Sequence, residues 1–286
     1  MKLVTMTNLL SKRFEIETAL DKIKNAGFDG FDCSIFEDEW ENVWGTEKWL
    51  AYAKKIAKKS RDLQLPCLQA HAPCPMVPWQ VSVGDYIKMS IRALEICHEI
   101  ECPTVVVHPV CKFTAQENFE QLYAKLLPTA VRYGIKIATE NMFKWKDDTY
   151  KETVPAACGT AADFVAHVDI ANSPYFTACL DLGHAQMVNC EGAVALIKGL
   201  GKRLGALHVH DNDLFHDDHT FPFVGRSNWE EITAALAEVG YDGDFTFEAD
   251  SFFKNYPNEL LDSGLKLLHD TGRYLISKID EKKKAR

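Results

Sequence analysis

The sequence has no long apolar run, and this absence bears on where the protein works. No stretch approaches the roughly 20 apolar residues that a membrane-spanning helix needs. The chain enters directly into the short apolar run 3–6, which is shorter than the apolar core of a signal peptide. We therefore expect a soluble, cytoplasmic protein with no membrane partner.

Paired cysteine motifs are also lacking. The nine cysteines are odd in number, and no two of them have the CxxC spacing that is typical of zinc sites and redox pairs. Several lie inside apolar runs, such as Cys179 within residues 176–180. We expect reduced, mostly buried thiols, as in a cytoplasmic enzyme, and no thiolate metal cluster.

Basic charge is scarce as well. The chain has 32 Lys and Arg residues against 41 Asp and Glu residues, which gives a formal net charge of −9. Proteins that bind nucleic acids usually present a basic face, because contacts with phosphates supply most of the affinity. We therefore expect a small-molecule partner rather than a nucleic acid.

What the sequence does contain is an alternation of short apolar runs with longer amphipathic ones. Apolar residues at helical spacing predict helices over residues 16–26, 86–100 and 229–239. Eight short apolar runs predict strands over residues 2–6, 30–34, 67–71, 104–109, 136–140, 177–181, 206–210 and 244–248. Eight strand–helix units in 286 residues predict an α/β chain with a single (β/α)8 TIM barrel over residues 1–286. An open doubly wound sheet is less favoured because no GxGxxG follows the first strand.

Polar residues that can bind metals lie at the ends of six consecutive predicted strands. They are His71, His108, Glu140, Asp181, His208 and Glu248. In a (β/α)8 barrel the carboxyl ends of all strands lie on one face, and this face carries the active site. A carboxylate that closes a buried strand is almost never left without a partner or a metal. The set therefore predicts a divalent-metal site.

Each of these residues also has an ordinary structural alternative. A histidine at a strand end, such as His71 or His108, is often a hydrogen-bonded structural residue. Asp181 is placed to cap the turn into the next helix, and Glu248 could face a neighbouring lysine. The prediction therefore depends on the whole set rather than on any single residue.

Five segments resemble the xylose-isomerase-like barrel superfamily, and the resemblance extends over nearly the whole chain. The segments are residues 69–73, 139–143, 179–184, 207–213 and 241–248. This superfamily includes sugar and sugar-phosphate isomerases and epimerases, inosose-processing enzymes and repair enzymes of the endonuclease IV type.

The resemblance implies a metal that is held by Glu140, Asp181, His208 and Glu248, on strands five to eight. His210 lies on the same side of its strand as His208. The family pattern selects His208, because it places the ligand three residues before an acid, here Asp211. Three carboxylates and one imidazole suit Mn²⁺, Mg²⁺, Co²⁺ or Zn²⁺.

The resemblance also implies an isomerase or epimerase that removes a proton from the carbon next to a sugar carbonyl. The metal would stabilise the enediolate, while Glu140 and Glu248 on opposite sides of the substrate would take and return the proton. His184 would bind a substrate hydroxyl or shuttle a proton. His210 and Asp211 would orient the metal ligands.

Two positions depart from the sugar-specific patterns of the superfamily. Ketose 3-epimerases have a substrate-binding Arg six residues after the metal-binding His, where this chain has Leu214; the nearest basic residue downstream is Arg226. Xylose isomerases have a Lys two residues after the strand-five Glu, where this chain has Met142. Neither specificity transfers, and a dehydratase of a keto-sugar or inosose, which begins with the same proton abstraction, stays an alternative.

The repair endonucleases of the superfamily, which hold three zinc ions, supply the main rival interpretation. Candidates for their additional ligands are present as His71, His108, His184, Asp217 and His219. A multi-zinc phosphodiesterase is therefore an alternative function. The acidic composition counts against DNA as its substrate, as does the loop 36–41, which has four carboxylates in six residues.

The same loop is predicted to form part of a lid over a small carbohydrate substrate. Trp40 and Trp44 would either line the cavity or pack on the following helix. No Gly-rich phosphate-binding loop follows strand seven or eight, which favours a substrate without a phosphate group. A catalytically silent, carbohydrate-binding barrel is a third alternative, and a homo-oligomer built through the outer helices is compatible with the sequence.

Overall fold

Parallel strands form the centre of the structure, a computed structural model that describes residues 1–36, 40–74, 81–147 and 152–286. The strands, in chain order, are β1 (Leu3–Met6), β2 (Gly30–Ser34), β3 (Cys67–His71), β4 (Thr104–Val106), β5 (Lys136–Glu140), β6 (Phe143–Trp145), β7 (Thr153–Pro155), β8 (Phe176–Asp181), β9 (Leu204–His208) and β10 (Phe245–Phe247). Strands β6 and β7 form a separate antiparallel hairpin.

The other eight strands pair in the order β10-β1-β2-β3-β4-β5-β8-β9. The two ends of this sheet meet through a parallel bridge between Val209 and Phe247. The backbone N–H of Val209 donates to the carbonyl oxygen of Thr246 at 2.9 Å, and the N–H of Glu248 donates to that of Val209 at 3.2 Å. The predicted (β/α)8 barrel is therefore confirmed.

Helices surround the barrel. They are α1 (Asn8–Arg13), α2 (Ile16–Ala26), α3 (Trp49–Leu63), α4 (Val83–Glu99), α5 (Ala115–Asn118), α6 (Ala124–Tyr133), α7 (Ala161–Asp169), α8 (Leu182–Gln186), α9 (Ala193–Leu200), α10 (Trp229–Val239) and α11 (Asn258–Lys284). Within the described ranges, no helix combines the length and the apolar character needed to cross a membrane.

The predicted helices have clear sequence causes. In α2 the apolar residues at helical spacing are buried, and the helix ends at Gly27, whose φ of 101° is readily adopted only by glycine. Helix α10 begins where the side chain of Asn228 accepts the N–H of Glu231, and it ends at Gly240. Helix α4 begins at Val83, three residues earlier than predicted, and the side chain of the preceding Ser82 caps it.

The predicted strands differ from the observed ones mainly at their ends. The fourth barrel strand ends at Val106 rather than residue 109, so His108 lies beyond it. The seventh, β9, covers Leu204–His208 rather than 206–210, so His208 is its last residue. The hairpin of β6 and β7 was not predicted.

The core has an outer and an inner part. Large apolar side chains fill the space between strands and helices, whereas a small inner cluster is formed by Val106, Ala138, Cys179 and Ala206. All nine cysteines are free thiols and six of them are buried, as predicted. Because these inner side chains are small, the rest of the barrel interior is occupied by polar side chains up to the strand ends.

Candidate metal centre

The structure brings the four predicted metal ligands together at the carboxyl ends of the strands. Glu140, Asp181 and His208 are the last residues of β5, β8 and β9, and Glu248 directly follows β10. Their ligand atoms all lie within 4.8 Å of one another, and all four residues are buried. Parallel pairing in a closed barrel is the cause, because it aligns these strand ends on one face. We call this group the central cluster.

The geometry around His208 fits a cation. Its Nδ1 atom lies 3.1 Å from Oε2 of Glu140 and 3.0 Å from Oε2 of Glu248. Neither contact has the angles of a hydrogen bond, so Nδ1 is buried without a hydrogen-bond partner. A buried ring nitrogen without a hydrogen-bond partner, beside several carboxylates, belongs to a donor set that suits a divalent metal.

The carboxylates of the central cluster are held in their charged form. Burial raises the pKa of Glu140, but the positive charges of His208 and His108 outweigh it and keep that pKa well below its usual range. Burial likewise opposes ionisation of Glu248, and the charges of His208 and His219 lower its pKa. Both glutamates are therefore ready to bind a cation or accept a proton at neutral pH.

Asp181 is positioned by hydrogen bonds on two sides. Its Oδ1 accepts the N–H of His184 at 2.6 Å, so it also caps the helix that follows, as the structural alternative predicted. Its backbone N–H donates to Oδ1 of Asn141 at 2.8 Å, and Nδ2 of Asn141 donates to its carbonyl oxygen at 3.0 Å. Asn141 was not predicted as a positioning residue, although it directly follows Glu140.

A second cluster consists of His71, His108 and Glu140. The Nε2 atoms of the two histidines are 3.1 Å apart, and Nε2 of His108 is 3.1 Å from Oε2 of Glu140. Burial and the charge of His108 lower the pKa of His71 to about 4, so this imidazole is neutral at neutral pH. A neutral imidazole is the form that binds metals.

A third cluster consists of His184, His210, Asp217 and His219. Oδ2 of Asp217 lies 3.3 Å from Nε2 of His184 and 3.2 Å from Nε2 of His219, while Oδ1 is buried without a partner. Nε2 of His210 faces Oδ1 of Asp181 at 3.0 Å, and its ring stacks on that of His219 at 4.0 Å. His210, which was predicted to orient ligands, therefore connects the third cluster, to which it belongs, with Asp181 of the central cluster.

Backbone carbonyl groups orient three of these histidines in the same way. The Nδ1–H groups donate to carbonyl oxygens: His71 to Ala72 at 2.7 Å, His184 to Asn141 at 3.0 Å, and His219 to Glu248 at 2.9 Å. This leaves each Nε2 atom directed at its cluster. Metal-binding histidines are typically held by a hydrogen bond from the other ring nitrogen.

Asp211 fixes the loop on which Asp217 and His219 of the third cluster lie. Its Oδ1 accepts the backbone N–H groups of Asn212 at 2.9 Å and Ser227 at 3.0 Å. Its Oδ2 accepts the N–H of Phe223 at 3.0 Å and the indole N–H of Trp229 at 2.9 Å. One fully buried carboxylate therefore organises the chain from residue 212 to residue 229.

We expect Asp211→Asn to destabilise the protein by about 2–4 kcal/mol, because an amide offers one acceptor oxygen and turns its NH₂ group toward two N–H donors. Urea unfolding would measure the loss, and hydrogen exchange at the Phe223 and Ser227 amides would locate it. Asp242→Asn makes the same chemical change at an exposed position and should cost less than about 0.5 kcal/mol. Equal stability of the two variants would contradict the role of Asp211.

A cavity of about 250 Å³ opens above the clusters. Its described lining residues are Phe36, His71, Cys74, His108, Glu140, His184, Asp217, His219 and Glu248, with no Lys or Arg among them. Phe36 contacts the ring of His71 edge-on at 5.0 Å, and Phe143 does the same to His184 at 5.2 Å. Phe36 is the first residue of the predicted lid 36–41, whereas no role was predicted for Phe143, which follows a strand end without a polar motif.

Two interpretations of the sequence are not supported by the structure. Arg226 is exposed and is not among the described lining residues, because its loop is drawn toward Asp211. Trp44 is 1% exposed and packs against Tyr52 at 5.0 Å, so the packing alternative is correct for it, and Trp40 does not line the described cavity either. The acidic residues 37–39 of the predicted lid lie outside the described residues.

Deep in the barrel, Asp32 forms a polar site that was not predicted. Its Oδ2 accepts Nε2 of Gln69 at 3.0 Å, while its Oδ1 is buried without a partner. Burial raises the pKa of Asp32 to about 7, against the lowering effect of the charge on His208. Asp32 adds negative charge to the barrel interior when it ionises.

Comparison with known proteins decides the family. The model of the xylose isomerase-like TIM barrel family matches residues 20–270. The chain belongs to this family. It is 21% identical over 266 residues to fructoselysine 3-epimerase of Escherichia coli O157:H7, and the alignment covers 86% of this chain and 90% of that protein. It is 26% identical over 181 residues to the uncharacterized protein y4fM of Sinorhizobium fredii and spans only 54% of that relative's length.

Solved structures share the fold over almost the whole chain. L-ribulose 3-epimerase superposes with a TM-score of 0.70 at 15% identity, covering 99% of this chain and 96% of its own. The IOLI protein, whose crystal structure holds a zinc atom, superposes with a TM-score of 0.67 at 16% identity over 98% of both chains. At such low identity these likenesses show the fold alone. The buried His, Glu and Asp clusters are consistent with a divalent-metal site.

Proposed function

We propose that the chain is a divalent-metal-dependent epimerase or isomerase of a sugar or sugar derivative. The observation that carries the proposal is the central cluster, in which three buried carboxylates surround the unpartnered Nδ1 of His208. Glu140, Asp181, His208 and Glu248 would hold the metal. Mn²⁺, Mg²⁺, Co²⁺ and Zn²⁺ all suit this oxygen-rich set.

The side chains around the cavity have the properties that the reaction needs. A bound divalent cation would supply Lewis-acid stabilisation of the negative charge that develops when a proton leaves the carbon next to a carbonyl. Glu140 and Glu248 are buried and ionised, so one of them can accept that proton. The other, once it has taken up a proton from solvent, would return it to the opposite face, and the two roles are exchanged in the reverse direction. His184 would bind a hydroxyl group, and Phe36 would contact the apolar face of the sugar.

The relatives support a carbohydrate substrate. The named curated relative is a fructoselysine 3-epimerase, and the superposed solved structures include ketose 3-epimerases. The described cavity lining has no Lys or Arg, which favours a neutral sugar over a phosphorylated one. Because Leu214 and Met142 replace the residues that mark two sugar specificities, the particular sugar does not follow from the relatives.

Hydrogen exchange with solvent tests the reaction type. The Mn²⁺-loaded protein, incubated in D₂O with a panel of ketoses and keto-glycosides, should introduce one deuterium at the carbon next to the carbonyl of its substrate. Nuclear magnetic resonance would locate the deuterium, and chromatography would identify the epimer or isomer. A product that has lost water would instead identify a dehydratase. Absence of exchange with every sugar would contradict the proposal.

The second and third clusters favour one other candidate, a multi-zinc phosphodiesterase. Together the three clusters contain every ligand that the zinc-dependent repair enzymes of the superfamily would require, and three of the histidines direct Nε2 at their clusters. The lack of cationic residues in the described lining counts against a phosphodiester substrate. The number of bound metals separates the two candidates and is treated in the Discussion.

A further inference from the structure

A second cavity, of about 80 Å³, adjoins the one above the metal clusters. Its walls are mostly apolar and come from the start of α4, the loop after β4 and the residue pair after β5. The apolar lining residues are Val81, Val83, Tyr86, Pro109, Val110 and Met142. We call this cavity the apolar annex.

The annex lies next to the metal-site cavity. Cys74 and His108 line both cavities, and Sγ of Cys74 is 2.7 Å from Nδ1 of His108. These two side chains therefore form the wall that the cavities share. A molecule at the central cluster would reach the annex past His108, which also belongs to the second cluster.

Polar groups of three residues in the annex walls, Val110, Met142 and Tyr86, form hydrogen bonds within the protein. The N–H of Val110 donates to Oδ1 of Asn118 at 2.8 Å, and its carbonyl oxygen accepts Nδ2 of Asn118 at 3.3 Å. The N–H of Met142 donates to the carbonyl oxygen of Ala157 at 3.0 Å. The hydroxyl of Tyr86 donates to the carbonyl oxygen of His108 at 2.9 Å, so this side chain offers the annex its ring alone.

These walls do not suit sugar carbons that carry hydroxyl groups. A buried hydroxyl group without a hydrogen-bond partner costs free energy. Lys112 also lines the annex, but this residue is exposed to solvent. An alkyl or aryl group, in contrast, gains free energy by leaving water for such walls. The volume is suited to a single short chain or ring.

We propose that the substrate is a sugar that carries an apolar alkyl or aryl substituent, and that the apolar annex binds this substituent while the sugar lies at the central cluster. The proposal rests on the proposed function, because it assigns the sugar to the metal site. It adds the chemical class of the group attached to that sugar. The annex then determines specificity without touching the reacting atoms.

Calorimetric titration of the Mn²⁺-loaded protein tests the annex. The ligands are the 1-O-benzyl, 6-O-benzyl, 1-O-methyl and 6-O-methyl ethers of D-fructose, which extend the sugar at either end. At one end the benzyl ether should bind about tenfold or more tightly than the methyl ether, since burying a phenyl-sized group contributes roughly that factor. Val83→Trp, which fills the annex, should reduce this ratio to near one.

A matched variant separates filling of the annex from the addition of a tryptophan. Val131→Trp changes an exposed valine on α6 and should keep the ratio of the unaltered protein. Equal binding of benzyl and methyl ethers at both ends, or binding of none of the four, would overturn the assignment of the annex. Deuterium exchange into the sugar is measured separately, so that the annex can fail while the proposed function stands, and the reverse.

Discussion

Glu140→Gln should lower turnover by about two to four orders of magnitude, the usual contribution of a positioned general base, while the protein stays folded. The amide cannot accept a proton, and it removes the negative charge that faces His208 at 3.1 Å. Glu140 also contacts His108 at 3.1 Å and belongs to both the central and the second cluster. Among the described residues, Glu140 alone belongs to both the central and the second cluster.

The measurement compares deuterium incorporation and product formation at saturating metal, so that weaker metal binding does not imitate the loss of a base. Thermal unfolding monitors the fold. Glu47→Gln is the matched control, since it makes the same change at an exposed glutamate and should leave the rate unaltered. Full activity of Glu140→Gln on the substrate of the unaltered protein would show that the base has been assigned incorrectly.

The barrel was predictable because short, mainly apolar runs that predict strands alternate along the chain with segments of helical period. Strands buried on both faces need no alternation of polar residues, so composition indicates where they lie, although it does not give their exact ends. The hairpin formed by Phe143–Trp145 and Thr153–Pro155 lacks this signal, since its three-residue strands are short and partly exposed. Its pairing depends on its position after β5 rather than on local sequence.

The central cluster was predictable for a topological reason, whereas the surrounding loops were not. Closure of a parallel barrel brings four strand ends together regardless of their separation in sequence. His208 and His210 were expected on one face, and Val209 between them continues the parallel pairing through its bridge to Phe247. His208 belongs to the central cluster and His210 to the third cluster. The contacts of Asp211, which fix the loop 212–229, involve backbone N–H groups that no sequence pattern displays.

Removal of the metal should lower the thermal stability markedly. The ligand atoms of Glu140, Asp181 and Glu248 are buried within 4.8 Å of one another, and a cation bound by the folded chain alone would relieve their mutual repulsion. A metal present at about 100 times its dissociation constant stabilises by roughly 2.7 kcal/mol, which corresponds to a Tm shift of about 5–10 °C for a chain of this size. Scanning calorimetry with and without a chelator measures this shift.

Two histidine variants give this prediction its control. His208→Ala removes the unpartnered Nδ1 from the central cluster and should abolish most of the metal-dependent Tm shift. His216→Ala removes an exposed histidine in the loop that also carries Asp217, and it should keep the shift. An equal shift in both variants would contradict the placement of the metal at the central cluster.

Metal content then distinguishes the two candidate functions. The proposed epimerase needs one ion per chain, and His219→Ala, which removes a possible ligand of the third cluster but none of the central cluster, should leave that number unchanged. A phosphodiesterase that uses all three clusters would bind three zinc ions, and His219→Ala would lower the number to two. The two mechanisms thus make opposite predictions for one residue, because His219 contacts Asp217 at 3.2 Å and takes no part in the central cluster.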